Sequence, residues 1–577
     1  MDKTSSTVIY ILNKPDFCDF LTMMKYQRRT IGIYYIICTR EKGNSQMKEL
    51  PTGLQVFEKI RTSGAIYVDK TDMIHKIVSS AKMQFFISRP RRFGKTLLCW
   101  TLNALFSGKR ELFEGLAISK TDWTWESYPV IHLDMSKVET DCGVDGVRET
   151  LIRQLKKIAA GFELDTGGLT TPGSILDEII VEVSNKPGKP AAVIIDEYDS
   201  PFVEFFNKPA MAEEIRGIMR GCYSQLKANE PHLRFLFLTG ISKFTKTGVF
   251  SKLNNLNDLS MDEEFGTLLG YTEEELHEYF TEHIETVAKK RKVPVDELVE
   301  LVRHNYNGFC FDGIRKVYCP FSILNFLQSG EFANFWMESG STRLIAEYMK
   351  NRSLTVEQFR GMKVSLKFAR DPGDIETSPP ESFLYQAGYL TLRDRIGEVF
   401  SLDYPNTEVL EAMSELVYKN MINHGGDFID LRTPLLHALY EGKTELIIHT
   451  LNRLLAGIPY DDYVKSAEQA ALYSPVKITT QEWLYRSTIL AFLRGCGVLT
   501  FGEMHTNQGR SDLLVIFNGI PWIIEIKITR DNDCAAKAQE AMAQINSRQY
   551  DGPYANAKKL AIAIDEGKRV IGEWIAG

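Results

Sequence analysis

Five apolar residues in succession, Ala191-Ala192-Val193-Ile194-Ile195, end in Asp196-Glu197. Side chains alternate across a strand, so a strand that is apolar on both faces has to be covered on both. That is the situation of a parallel sheet held between layers of helices. Such a sheet binds ligands at the carboxyl ends of its strands, where this one carries its two acids. The run therefore commits this part of the chain to an α/β fold. Three more strands fit the same sheet: Lys82–Ser88, Val130–Asp134 and Arg234–Thr239.

The strand Lys82–Ser88 runs into RPRRFGKTLLCWTLNALF, residues 89–106, a glycine-bearing turn followed by a helix of apolar periodicity. Strand, glycine loop, Lys-Thr and helix make a P-loop arrangement, in which N–H groups at a helix start point at an anion. The loop residues Arg92, Phe93, Gly94, Lys95, Thr96 and Leu97 would surround the phosphates of ATP. Lys95 would reach the β- and γ-phosphates, Thr96 and Asp196 would hold Mg²⁺, and Glu197 would orient or deprotonate a water. Thr239 and Ser242, at the tip of another strand, are candidates to sense the γ-phosphate. The match is imperfect, because the usual first glycine of the loop is Arg89. The plain alternative is a helix start with a surface lysine and two acids that cap a strand. Arg216 and Arg220, on a helix after the acidic strand, fit a trans-acting arginine and a solvated face equally well.

Composition narrows the class. The chain has 577 residues, 44% hydrophobic and 25% charged, which suits several globular domains. A net charge of −7 argues against a generally basic nucleic-acid coat but leaves room for a local groove. The 9 cysteines are scattered and include no C-x-x-C, so neither a disulfide framework nor a zinc site is indicated, and a cytoplasmic location is expected. The longest apolar run, IGIYYIICT, is too short to span a membrane. Residues 1–46 show no sustained period, and MKELPTGLQVFEKI, starting at Met47, reads as a clean beginning. Either Met47 is the native start or the leader is a small appendage.

Near the other end, GRSDLLVIFNGIPWIIEIKI, residues 509–528, reads as two strands joined by Asn518-Gly519. Asn-Gly between apolar runs signals a type I′ hairpin. With Phe517 paired to Ile520, Asp512 falls opposite Glu525 and Arg510 opposite Lys527. Like charges placed opposite one another are destabilising, a cost that a divalent cation would remove. The expected site is a Mg²⁺ ion on Asp512 and Glu525 with Lys527 beside it; the bland alternative is a solvated charged face. TTQEWLYRSTILAFLRGCGV, residues 479–498, is a helix in which Glu482 either joins the site or forms a capping box with Thr479. AAKAQEAMAQINSRQY, residues 535–550, is a helix carrying Gln544.

The segments RPRRFGKTLL, VIIDEYD, LTGISKF and residues 306–340 together resemble the bacterial AAA-ATPase-like family, whose members commonly carry a C-terminal PD-(D/E)XK nuclease-like domain. Arg89 in the first loop position is itself typical of that family. The order helix with Glu482, strand with Asp512, strand with Glu525-x-Lys527 and helix with Gln544 resembles the nuclease core. The resemblance implies an AAA-type core with a helical lid and a restriction-endonuclease-like α/β domain. It implies that Asp512 and Glu525 bind Mg²⁺, that Lys527 positions or deprotonates water, and that Glu482 and Gln544 support the site.

The expected domains are a leader (1–46), a P-loop ATPase core (47–265), a helical lid (266–345), a small α+β connector (346–475) and the nuclease-like domain (476–577). In the connector, LTVEQFRGM reads as helical and residues 383–402 read as a hairpin bending near Ile396-Gly397. His437 and His449 are isolated and read as packing or surface residues. Arg510, Lys527, Arg530, Lys537, Arg548, Lys558 and Lys559 supply cations around the hairpin, and no base-reading motif is present. The leading expectation is an ATPase fused to a Mg²⁺-dependent nuclease acting on DNA or RNA, with oligomerisation left open. The competing class is a nucleotide-dependent switch or interaction protein whose nuclease fold only binds nucleic acid or a partner.

Overall fold

The computed structural model describes residues 47–577 apart from 187, 206–207, 242–254, 338–344, 347, 350–353, 355, 366–377, 422–427, 458–479, 507–508, 532, 551–553 and 555. Ser242, Thr479 and the leader lie outside the described residues.

Two short helices, α1 (Phe57–Ser63) and α2 (Thr71–Val78), lead into a five-stranded sheet. Its strands are β1 (Gln84–Ser88), β2 (Val130–Asp134), β3 (Ala191–Asp196), β4 (Leu233–Gly240) and β5 (Asn257–Asp258), and every pairing is parallel. The order β2-β3-β4-β1-β5 places β4 between the loop-bearing strand and the acidic strand. Thr239 at its tip thus lies between the two halves of the candidate site. Helix α3 (Lys95–Phe106) follows β1 directly, and α4 (Gly143–Gly161), α5 (Pro172–Asn185) and α6 (Pro209–Ala228) complete the layers. Alternate residues enter separate cores. Phe85, Ile87, Ile194 and Phe237 face one, and Phe86, Val193, Ile195 and Leu236 face the other. This is the double covering that the apolar run at Ala191–Ile195 requires.

Helices α7 (Glu273–Arg291), α8 (Val295–Tyr306) and α9 (Pro320–Ser329) enclose a further core, with the small hairpin β6 (Phe309–Cys310) and β7 (Lys316–Val317) between the last two. Helix α7 opens on a full capping box, Thr272 with Glu275, which satisfies two otherwise orphaned N–H groups.

The connector departs from the sequence reading. Residues Pro380–Ala387 form a helix, α10, and the hairpin is confined to β9 (Thr391–Ile396) and β10 (Val399–Asp403). Gly388 ends α10 at φ +85 in the left-handed region that favours glycine, so the apparent alternation beginning at residue 383 was helix periodicity over a short window. Strand β8 (Lys363–Ser365) pairs with β10, giving the order β8-β10-β9. In LTVEQFRGM, expected to be helical, the described residues hold a 3₁₀ turn at Glu357–Phe359.

Helices α11 (Thr407–Met421), α12 (Phe428–Glu441) and α13 (Thr444–Ala456) then lead to α14 (Thr480–Gly495). The last sheet runs β11 (Leu499–Thr506), β12 (Gly509–Phe517), β13 (Ile520–Thr529), β14 (Lys558–Asp565) and β15 (Val570–Ala576) in sequence order. It is antiparallel except for β13 and β14, whose parallel pairing is bridged by α15 (Cys534–Ser547). A parallel pair needs such a crossover. Among the described residues no helix is long and apolar enough to cross a membrane.

Helix α11 ties the α7–α9 region to the C-terminal half, because it packs along α14 while Glu408 at its start accepts from Ser322 Oγ (2.9 Å) and Trp336 N (2.9 Å). Burial pushes the Glu408 carboxyl from 4.5 to about 8 and that of Glu411 to about 7. Folded values above unfolded ones mean that the native state keeps protons the unfolded chain has released, so their contribution to stability falls as pH rises from about 5 to 8. Thermal melts of wild type and Glu408→Gln should therefore diverge. The wild type loses Tm relative to the variant as pH goes from 6 to 8, and a constant difference across that interval would rule the buried acid out as the cause.

Candidate active sites

At the first site, β1 delivers the chain to a loop that turns on two left-handed residues, Arg92 at φ +69 and Gly94 at φ +91, before α3 begins at Lys95. A positive φ is costly for arginine and marks a loop shaped for a purpose other than its own stability. Lys95 is buried and its Nζ donates to the loop carbonyls of Arg89 (3.0 Å) and Pro90 (2.9 Å). Burial lowers its pKa, while Glu197, Asp196 and Asp199 hold it up. A lysine folded onto its own loop in this way has the reach to exchange carbonyls for phosphate oxygens.

Asp196, at the end of β3, faces the start of α3. Burial raises its carboxyl to about 6, with the Thr96 hydroxyl near enough to oppose that shift and Glu197 adding to it. Its Oδ1 is buried and accepts no hydrogen bond, as is Thr239 Oγ1 at the tip of β4. Asp196 stands in the field of the buried Lys95, and two buried oxygens without partners cost free energy that a bound cation and phosphate would recover. The donors Thr96 and Asp196 fit Mg²⁺, which prefers hard oxygens. Glu197 follows at φ +50, a second left-handed side chain at the same sheet edge.

Several loop residues have work other than phosphate contact. Arg89 is buried, donates to the carbonyls of Ser88 (2.9 Å) and Ser260 (2.7 Å), and stacks on Phe311 at 4.1 Å. It is a strut, and the missing first glycine is explained by this packing. Phe93 meets Phe309 and Phe311 edge to face at 4.9 and 5.3 Å, and the Arg92 guanidinium lies 4.6 Å over Phe321. These contacts clasp the β6–β7 hairpin and α9 to the loop. Leu97 is half-buried one turn into α3, with Cys99 buried beyond it. Arg216 and Arg220 both pair with Glu213 on their own helix.

The second site sits where β12 and β13 part. Asn518 (φ +49) and Gly519 (φ +75) form the tight turn, and the ladder runs in the expected register from Phe517–Ile520 to Leu513–Ile524. There it stops. The next positions outward are Asp512 and Glu525, whose carboxylates take over the backbone donors. Ile526 N donates to Asp512 Oδ2 (2.8 Å), and Asp512 N donates to Glu525 Oε2 (3.3 Å). Because the β12–β13 ladder ends at Leu513–Ile524, the expected pair of Arg510 with Lys527 is not formed.

Both acids are buried. Burial first, and Asp512 second, raise Glu525 to about 7. Lys527 Nζ is 3.3 Å from Glu525 Oε1, and Gln544 Nε2 from α15 donates to the same oxygen. Burial pulls the Lys527 ammonium down, but Glu525, Asp512 and Glu482 together leave it raised, which places Glu482 electrostatically at the site. The structure thus brings Asp512, Glu525, Lys527, Gln544 and Glu482 to one locality. It adds two residues that the sequence reading missed. Arg486 Nη1 lies 3.4 Å from Asp512 Oδ1, and Tyr550 OH accepts from Gln544 Nε2 at 3.3 Å. The spacing Glu482 to Arg486, one helical turn, was the available signal.

The two opposed acids are each matched to a cation of the protein, Arg486 for Asp512 and Lys527 for Glu525. Their tolerance therefore does not depend on an ion between them, as the sequence alone suggested. Among the described residues there is no group of three or more His, Cys, Asp or Glu arranged to hold a metal. The donor set for a cation here is the two carboxylates, hard oxygens of the kind Mg²⁺ takes alongside waters.

The two halves are in contact through the connector. A Cβ at Gly388 would come 2.6 Å from Pro90 of the loop, so the end of α10 abuts the loop after β1 directly, and α11 runs from the α7–α9 region to α14.

Residues 51–250 match a family described as "Predicted AAA-ATPase", and residues 480–574 match the "PD-(D/E)XK nuclease superfamily". A relative from Azotobacter chroococcum mcd 1, described as "Uncharacterized protein in vnfD 5'region", is 30% identical over 519 residues, spanning 88% of this chain and 94% of its own. Among solved structures, the Aeropyrum pernix ORC2 protein (ADPNP-ADP complexes) aligns over 66% of this chain and 97% of its own, at 12% identity and a TM-score of 0.24. CDC6P from Pyrobaculum aerophilum aligns over 61% and 92%, at 10% identity and a TM-score of 0.22. Scores this low do not bear on the arrangement of the domains.

Proposed function

Since this chain belongs to the family that joins a predicted AAA-ATPase domain to a C-terminal PD-(D/E)XK nuclease superfamily domain, we propose that it is an ATP-dependent, Mg²⁺-requiring nuclease. The single observation that supports this best is the parting of β12 and β13 at Asp512 and Glu525, with Lys527 and Gln544 on the same carboxylate.

In the C-terminal site Asp512 and Glu525 would hold a divalent cation, which lowers the pKa of bound water and neutralises phosphoryl charge when present. Lys527 stands beside Glu525, where an ammonium can orient a water and stabilise charge building on the phosphoryl oxygens. Gln544 fixes the Glu525 rotamer, itself steadied by Tyr550. In the N-terminal site Lys95 would leave the Arg89 and Pro90 carbonyls for the β- and γ-phosphates of ATP. Thr96 and Asp196 would hold Mg²⁺, Glu197 would orient the attacking water, and Thr239 would face the γ-phosphate. The contact of Pro90 with Gly388 offers a route by which the nucleotide state reaches the connector.

The test is nicking of supercoiled plasmid and of single-stranded RNA by the full chain, with Mg²⁺ or EDTA and with or without ATP. Cleavage that needs Mg²⁺ and responds to ATP is expected. Cutting that persists unchanged in EDTA would overturn the metal-dependent reading. No cutting of either substrate under any condition would leave the chain a nucleotide-dependent switch.

A further inference from the structure

Arg486 belongs to helix α14, one turn after Glu482, and its guanidinium is buried with only 9% of the side chain exposed. Its Nη1 lies 3.4 Å from Oδ1 of Asp512, whose side chain is 12% exposed. A tight charge-assisted bond to a carboxylate is about 2.8 Å long, so at 3.4 Å this contact to Oδ1 is a loose one. The other oxygen of Asp512 is fixed at 2.8 Å by Ile526 N. One oxygen is therefore locked to the sheet, and the other faces a cation that can be displaced.

Burying such a pair is not a route to stability, because desolvating both charges costs about as much as their attraction returns. Its position at the parting of the strands is the informative fact. Lys527 lies 3.3 Å from Glu525 and also stands in the fields of Asp512 and Glu482, so one ammonium is shared among three acids. Without Arg486, Asp512 and Glu525 would face each other across the gap with Lys527 shared between them.

We propose that Arg486 is a positioning residue that serves as the resident counter-cation of Asp512, balancing its charge and holding it oriented until a divalent ion takes over its Oδ1. This rests on the reading of Asp512 and Glu525 as a cation site. It has a consequence opposite in sign to that of a structural strut. A strut, once removed, leaves a looser carboxylate and weaker ion binding. A competing cation, once removed, leaves a site with one less positive charge against the incoming ion. At this burial, a unit charge within a few ångströms of a divalent ion outweighs the ordering of one short side chain.

The experiment is calorimetric titration of the full chain with Mn²⁺ alone, taking as the site's signal the binding that Asp512→Asn abolishes. Arg486→Met should bind Mn²⁺ about tenfold more tightly than wild type, and Arg486→Lys, which keeps the charge, should stay within about twofold. Binding by Arg486→Met that is equal to or weaker than wild type overturns the proposal while leaving the cation site in place. Should wild type show no binding that depends on Asp512, the cation site and the proposal fall together. If methionine unfolds the domain, Arg486→Gln against Arg486→Lys makes the same comparison of charge with a polar head retained.

Discussion

Exchanging Asp512 for Asn is expected to lower Mg²⁺-dependent strand cleavage by about three orders of magnitude, the scale of the several kcal/mol of charge stabilisation that a correctly held metal supplies. The substitution changes charge and little else. An Asn oxygen can still accept from Ile526 N, so the parting of β12 and β13 should persist. What is lost is the negative charge that attracts the ion and that also faces Glu525. Because Asp512 is one of the groups that raises Glu525, after burial, its removal lets Glu525 ionise at lower pH than about 7. Asn leaves the buried Arg486 facing a neutral amide, which lowers stability, so folding is checked by circular dichroism; the folded variant should bind nucleic acid at least as well, having one acid fewer at the site, and should still fail to cut. Rates measured over a range of Mg²⁺ concentrations separate the outcomes. Recovery at high Mg²⁺ means the acid serves affinity, and a rate that stays low means it also orders the chemistry. Cleavage at the wild-type rate would move the active centre elsewhere in the chain.

That site was legible only up to the point where side chains begin to compete with the backbone. Asn518-Gly519 set the turn, and counting outward from Phe517 and Ile520 set the register as far as Leu513 and Ile524. One step further, two carboxylates capture main-chain N–H groups and end the ladder, and local pairing rules contain no term for that exchange. Arg486 was out of reach for a different reason. Its partner is decided by how α14 lies on the sheet, which periodicity along the helix does not specify. The ATPase half shows the same division. The apolar strands, the glycine loop and the acids of β3 follow from burial and from helix-start electrostatics, and their strand order follows from neither. Arg89 reads as a defect in a phosphate loop until Phe311, Ser88 and Ser260 are seen around it. In the connector, a short apolar window was read with period two where Gly388, by closing a helix, imposed the other period.

Replacing Lys95 by Ala should reduce ATP turnover by about two to three orders of magnitude, the usual effect of deleting one preorganised group aimed at transition-state charge. The structure shows why the loss would be chemical rather than a collapse of the loop. Lys95 donates to the carbonyls of Arg89 and Pro90, but the loop is also anchored by the Arg89 guanidinium and by Phe93 against the β6–β7 hairpin. Those anchors remain in the variant. Asp196 would keep its burial and lose a cation that lowers its pKa, so its carboxyl should ionise at higher pH than the wild-type value near 6. Mg²⁺ binding through Asp196 then needs a higher pH, and the residual turnover should have its acid limb displaced upward. Wild-type turnover in the variant would remove Lys95, and with it the P-loop assignment. The same protein also tests communication between the two halves. If Pro90 transmits the nucleotide state to α10 through Gly388, nicking by Lys95→Ala should proceed at the rate seen without ATP and be indifferent to ATP. If instead ATP still changes its nicking rate while turnover is lost, binding alone carries the signal, and the lysine is needed only for hydrolysis.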